Sequence, residues 1–316
     1  MVLPRPCFLG IVIALLAPGQ GSQSPGMLTP WLELPGAPER IAQWSAAAGI
    51  DLERLGTTAT AEEITDTAVT QPLVVASALL AYEELERTDA VLPGTLTAGH
   101  SVGELAAAAI AGVFSTDDAV TLAAVRGAAM GAACAAEPTG MSAVLGGDET
   151  AVLDRLQELD LTPANRNAAG QIVAAGRLDA LEKLEQDPPE RARIRRLSVA
   201  GAFHTPFMAS AQDAVAERAA AIEPHDPVLP LLSNADGARV HDGVEVLRRL
   251  VAQVTNPVRW DLCMATMAEA NVSALVELPP AGALVGMAKR ELRGTPTLAM
   301  KAPADLSALA ELALTR

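Results

Sequence analysis

Ser101 stands in "TAGHSVGELAAAAIAG", with Gly99 and Gly103 two positions to either side. G-x-S-x-G is the spacing of a nucleophile elbow, a tight strand-to-helix turn that projects a serine hydroxyl and tolerates only small neighbours. The flanks suit that geometry. Residues 94–101 read as a strand ending in a turn, and the alanine-rich 102–112 read as a helix. A helix beginning there aims backbone N–H groups and a positive dipole end at the serine. The Val102 amide is then a natural donor to an oxyanion. The chemistry implied is attack on an acyl carbon.

Such a serine needs a base, and the chain has four histidines. His100 shares the elbow and is expected to point away from Ser101. His225 and His241 lie in polar loops rich in Pro, Gly and Asp, where surface histidines are common. His204 lies in "VAGAFHTPFM", a small-residue strand end running into a proline-started helix, and is the best candidate. About a hundred residues separate it from Ser101, so only the fold can join them.

The elements must supply that join. "IVIALLAPGQGSQ", residues 11–23, admits two readings. One arginine followed by the apolar run Phe8–Ala17 resembles a secretory signal peptide, although Pro18 spoils the cleavage site. A β-branched apolar run closed by Pro18 and Gly19 also reads as a buried parallel strand. Helical patterns follow at 38–56, 61–67, 72–87 and 117–135. Strands alternating with helices predict an α/β fold with a parallel sheet. Near Pro138 the pattern changes. Residues 140–199 read β-α-β-β-α-β, the order of a ferredoxin-like unit. The expected architecture is a large hydrolase-like α/β subdomain, 1–139 and 200–316, with an inserted ferredoxin-like small subdomain, 140–199. After it, "VLPLLSN" and "VSALVEL" read as short strands among alanine-rich helices.

Composition narrows the function. The net charge is 23 minus 38, or -15, which repels phosphate backbones and argues against nucleic acid. The longest apolar run is too short to span a membrane. Three widely spaced cysteines, with no CxxC, indicate neither a disulfide framework nor a zinc site and suit a cytoplasmic setting. No metal site is expected.

"APGQGSQ", "GHSVGE", "VRGAAM", "GAFHTPFM" and "QVTNPVRW" occur in this order, and "ANRNAAGQIVAAG" joins them. Together they resemble the malonyl-CoA:acyl carrier protein transacylases, most closely the actinobacterial forms, from about Ile11 to Arg293. The resemblance implies a Ser101–His204 dyad, with the main-chain carbonyl of Gln253 orienting the histidine. It implies that Gln20 and Val102 form the oxyanion hole and that Arg126 holds the free malonyl carboxylate. Phe203 matches a position at which "FH" accompanies malonyl and "SH" methylmalonyl. Substrate and partner would be malonyl-CoA and acyl carrier protein, with no cofactor and a monomer as the simple expectation. "PPAG", at 279–282, departs from the family's usual turn. Residues 1–10 look like an N-terminal extension, and cleavage after Ala17 would remove Gln20's strand, which disfavours the signal peptide. Arg191, Arg193, Arg195 and Arg196, with Lys289 and Arg290, are candidate contacts for an acidic carrier. A serine esterase and a catalytically idle carrier-binding subunit remain the alternatives.

Overall fold

A computed structural model of the chain describes residues 12–88, 90–91 and 94–309; the expected extension at 1–10 lies outside them. The first stretch runs β1 (Ile13–Ala17), α1 (Ala37–Ala48), α2 (Leu52–Thr57), α3 (Thr67–Arg87), β2 (Leu96–Gly99), α4 (Gly103–Ile110) and α5 (Thr116–Cys134). A second runs β3 (Thr139–Gly146), α6 (Glu149–Glu158), β4 (Thr162–Ala168), β5 (Gln171–Arg177), α7 (Leu178–Gln186) and β6 (Ala192–Arg196). The last runs α8 (Ala209–Ala219), β7 (Leu231–Leu232), β8 (Arg239–Val240), α9 (Gly243–Ala252), β9 (Val258–Arg259), α10 (Trp260–Glu269), β10 (Ala274–Glu277), α11 (Ala283–Glu291) and β11 (Thr297–Ala299).

The main sheet has the order β11-β10-β1-β2-β7-β8 and is parallel except for the edge strand β8. The segment read as a possible export signal supplies β1, every residue of which is buried near the middle of this sheet. A strand covered on both faces must be apolar throughout, which explains why "IALLA" does not alternate. The second sheet has the order β6-β3-β5-β4-β9. Its first four strands are antiparallel neighbours in the ferredoxin-like arrangement, while β9, from the later part of the chain, adds parallel to β4 and ties the two sheets together.

With few aromatics, the interior is built from alanine and aliphatic side chains around three fully buried tryptophans, Trp31, Trp44 and Trp260. Helix α3 is buried on nearly all sides between neighbours, including α5. It starts at Thr67 rather than at 72, because the Asp66 side chain caps it by accepting from the Ala68 N–H at 2.8 Å. The predicted helix 38–56 is two helices. Gly49, at φ 71°, ends the first and Asp51 caps the second. "PPAG" forms the loop between β10 and α11. There the buried Glu277 carboxylate accepts from the Gly282, Leu284 and Val285 amides at the start of α11.

Candidate active site

The carboxyl ends of β1, β2 and β7 converge on one cleft, where open α/β sheets bind ligands. The elbow after β2 needs its glycines for space. A Cβ on Gly99 would lie 2.1 Å from the Gly103 carbonyl, and one on Gly103 would lie 2.2 Å from the Ala17 carbonyl oxygen. Helix α4 therefore crosses the ends of both strands at backbone contact. Ser101 sits between the glycines at φ 53°, a left-handed conformation that L-residues adopt at a cost.

Asn234, directly beyond β7, holds that turn. Its Oδ1 accepts from the Ser101 N–H at 2.8 Å, and its Nδ2 donates to the Gly99 carbonyl at 2.8 Å. Sequence reasoning missed it. An asparagine after a short apolar strand looks like an ordinary turn former.

The fold brings Ser101 and His204 together, with Ser101 Oγ 2.7 Å from His204 Nε2. On the far side of the ring, Nδ1 donates to the Gln253 main-chain carbonyl at 2.8 Å. That bond assigns the proton to Nδ1 and leaves Nε2 free to accept. Burial, followed by the nearby Arg126 charge, pulls His204 down to about 3, so the imidazole is neutral. Among the described residues, no carboxylate takes the third place that a triad would fill.

Gln20 and Val102 lie on either side of the same cleft. Among the described residues, no acceptor engages the main-chain N–H of either one. The Gln20 side chain is anchored apart from its amide, its Nε2 donating to Thr67 Oγ1 at 3.3 Å. Phe203 packs into the cleft wall beside His204.

Arg126 is 2% exposed. Its Nη1 donates to Gln71 Oε1 at 2.6 Å, and its Nη2 donates to Gln253 Oε1 at 3.0 Å and to Ser101 Oγ at 3.4 Å. All three acceptors are uncharged. Burial lowers Arg126 to about 10, which still leaves it a cation near neutrality. Glu104 is a buried acid of the same site. Burial pushes it up to about 8, while hydrogen bonds from Asn234 and Gln253 and the charges of Arg126 and Arg249 pull it down.

His100 does not turn wholly away. It lines the cleft, bonds Asn167 Oδ1 through Nε2 at 2.8 Å, and packs edge-on against Trp260 with 5.6 Å between ring centroids. It thereby links the elbow to β4. His225 and His241 take no part in the cleft. Of the arginines suggested for carrier contact, Arg193, Arg195 and Arg196 are exposed on the edge strand β6, whose continuation through Leu197 and Val199 lines the cleft. Arg191 pairs with Glu190, and Arg290 bonds Gln171. The cleft holds about 200 Å³, the scale of a short acyl group rather than of a long chain. Among the described residues, no cluster of His, Cys, Asp and Glu could hold a metal ion, and no helix is long and apolar enough to cross a membrane.

A serine on an elbow, with a neutral histidine behind it on an α/β sheet, is the apparatus of acyl transfer, and the matches agree. Residues 15–306 match the acyl transferase domain family. A "Malonyl CoA-acyl carrier protein transacylase" from Mycobacterium tuberculosis is 66% identical over 303 residues, 95% of this chain and 100% of that relative. The crystal structure of MCAT from Mycobacterium tuberculosis superposes with a TM-score of 0.93 at 65% identity, covering 95% of this chain and 99% of that one. A malonyl-transacylase solved in complex with a type II PKS acyl-carrier protein gives a TM-score of 0.87 at 30% identity, covering 95% and 99%. The chain belongs to the acyl transferase domain family and, within it, to the malonyl CoA-acyl carrier protein transacylases.

Proposed function

We propose that this chain moves a malonyl group from malonyl-CoA to the phosphopantetheine thiol of acyl carrier protein, supplying fatty acid synthesis through a malonyl-Ser101 ester. The observation that carries the reading is Arg126. It is a buried cation beside the nucleophile, held only by neutral oxygens, with its charge left for a ligand anion. A dicarboxylic thioester offers a second carboxylate that such a guanidinium can grip in bidentate fashion. An acetyl group would leave the cation desolvated and unpaired.

In the first half-reaction His204 Nε2 takes the Ser101 hydroxyl proton and Oγ attacks the thioester carbon. The carbonyl oxygen gains negative charge and accepts from the Gln20 and Val102 amides. The C–S bond then breaks, and His204 returns the proton to the departing CoA sulfur. In the second half-reaction the carrier's thiol gives its proton to His204 and its sulfur attacks the ester carbon. The C–Oγ bond breaks and Ser101 recovers its proton. The Gln253 carbonyl steadies the imidazolium in both halves. Neither half calls for a metal or redox group.

Phe203 narrows the pocket against a 2-methyl branch, which favours malonyl over methylmalonyl. In this reading, residues 140–199 form the small subdomain that roofs the cleft, over a large subdomain of 1–139 and 200–316. The chain works as a monomer in the cytoplasm, where Cys134 and Cys263 stay reduced.

The test is intact mass spectrometry after malonyl-CoA, followed by addition of carrier protein. The expected result is a malonyl adduct on the Ser101 peptide that is discharged by carrier and absent from Ser101→Ala. Malonyl-CoA hydrolysis without an adduct would overturn the reading in favour of an esterase. Full transfer by Ser101→Ala would also overturn it.

A further inference from the structure

Gln253 does more than lend a carbonyl to His204. Its side-chain amide is buried and touches four groups. Oε1 accepts from Arg126 Nη2 at 3.0 Å. Nε2 donates to the Ser101 carbonyl at 3.2 Å, lies 3.4 Å from Asn234 Oδ1, and donates to Glu104 Oε2. The other oxygen of Glu104 accepts from the Asn234 main-chain N–H at 2.6 Å. Glu104 is thus buried with one N–H donor on each oxygen and makes no direct ion pair with Arg126.

An amide side chain has two ends of nearly equal shape and opposite polarity. Arginine only donates, so it requires the oxygen of Gln253 to face it. A carboxylate only accepts, so Glu104 requires the nitrogen to face it. The two charged groups together permit one orientation of the amide. We propose that Glu104 is a positioning residue, which locks the Gln253 amide and through it aims Arg126 at the free carboxylate of the acyl group. Where it is ionised, Glu104 also balances the buried cation at one remove. A carboxylate in direct contact would satisfy Arg126 and compete with the ligand. The inference rests on the proposed role of Arg126.

The predicted signature is selectivity, not activity alone. After Glu104→Gln the side chain offers one acceptor for two buried donors, so the Gln253 amide loses its fixed orientation. Acylation of Ser101 is measured with malonyl-CoA and with acetyl-CoA at about pH 8.5, above the value to which burial pushes Glu104, so that the carboxylate prevails in the parent enzyme. The ratio of kcat/KM for malonyl to that for acetyl should fall about tenfold or more in Glu104→Gln, mostly through KM for malonyl-CoA. Arg126→Ala should lower the ratio further, and adding Glu104→Gln to it should lower the ratio no more.

Should Glu104→Gln fail to fold, Gln253→Met removes the same relay while keeping the main-chain carbonyl on His204. It should lower the ratio comparably. An unchanged ratio in Glu104→Gln or Gln253→Met, alongside a lowered ratio in Arg126→Ala, overturns the positioning role and leaves the malonyl clamp standing. Equal losses for both substrates with a lower Tm would mark Glu104 as merely structural and likewise overturn it. An unchanged ratio in Arg126→Ala overturns the clamp itself, and this inference with it.

Discussion

Asn234→Ala tests whether the nucleophile is held by its own turn or by a distant strand. Asn234 is 0% exposed and spans the elbow, accepting from the Ser101 N–H and donating to the Gly99 carbonyl, both at 2.8 Å. The alanine variant loses both bonds and leaves a part-buried N–H and a buried C=O without their partner, at up to about 1–3 kcal/mol each, or about 2–6 kcal/mol in sum. Most domains have about 5–15 kcal/mol of stability, so the variant should fold but unfold at clearly lower urea. The kinetic effect should be larger than the loss of folded protein explains. Ser101 is held at φ 53°, a conformation costing about 1–3 kcal/mol that persists only while its surroundings enforce it. Once untethered, the serine relaxes, and a shift near 1 Å at a reacting atom costs about a hundredfold in rate. Stopped-flow measurement of Ser101 malonylation, on protein shown folded by near-ultraviolet circular dichroism, reads this directly. Asn234→Asp should also be impaired, because it cannot donate to the Gly99 carbonyl and it sets a second carboxylate beside Glu104. An alanine variant destabilised by under about 1 kcal/mol, with acylation within about threefold of the parent, would refute the reasoning.

Four further outcomes follow from the geometry. His204 is held down to about 3 from the usual 6.5, so kcat/KM for malonylation should stay level from about pH 7 to about pH 5, and a loss centred on 6.5 in the pH–rate profile would contradict that. In the same range the unfolded chain takes up the proton first; the stability share of His204 is therefore full above 6.5 and falls by about 1.4 kcal/mol per unit as pH drops below it, measurable as urea midpoints across pH. Gly19→Ala puts a Cβ 2.6 Å from the His100 carbonyl oxygen and should spread the two turns that carry the Gln20 and Val102 amides, lowering kcat about a hundredfold or more with little change in KM, as steady-state kinetics would show. Replacing Arg193 and Arg195 by Glu should raise KM for carrier protein severalfold and leave malonylation of Ser101 by malonyl-CoA unchanged; an equal effect on both half-reactions would exclude β6 as the carrier's docking edge.

What could be read in the chain was what is encoded locally. Gly99 and Gly103 bracket Ser101 because α4 crosses two strands at backbone contact, and that requirement is written as spacing. The apolar "IALLA" could be read because a doubly covered strand needs no polar face. Elements of two or three residues, such as β8, β9 and β11, carry too few side chains to show a period. The partners of the site were hidden for another reason. Asn234, Glu104 and the side-chain role of Gln253 depend on contacts across 127 to 152 positions, and nothing beside each residue signals its partner. Glu104 in particular resembles any acidic residue in a first helical turn, where charge suits the dipole; only its burial against Asn234 and Gln253 sets it apart.

The position of the two amides proposed for the oxyanion hole shows how register would convert sequence into a site. β1 and β2 are parallel neighbours, with Ala17 paired to Gly99. Gln20 and Val102 each follow the paired residue by three positions, so equal lengths of chain carry both amides past the sheet edge. The turns differ in composition, Pro18-Gly19 against His100-Ser101, yet they are pressed together; the His100 N–H donates to the Ala17 carbonyl at 3.0 Å and Gly19 lies under the His100 carbonyl. In the proposed mechanism, two N–H groups carried past adjacent parallel strands by turns of equal length act as a donor pair that needs no side chain, so side-chain substitution at Gln20 or Val102 should leave the donors in place. Shifting the β1–β2 register by one residue would separate them and turn the faces of both strands over. In the proposed mechanism the pairing of Ala17 with Gly99 is therefore a catalytic constraint as well as a structural one. It also sets the segment that resembles an export signal in the middle of the main sheet, between β10 and β2.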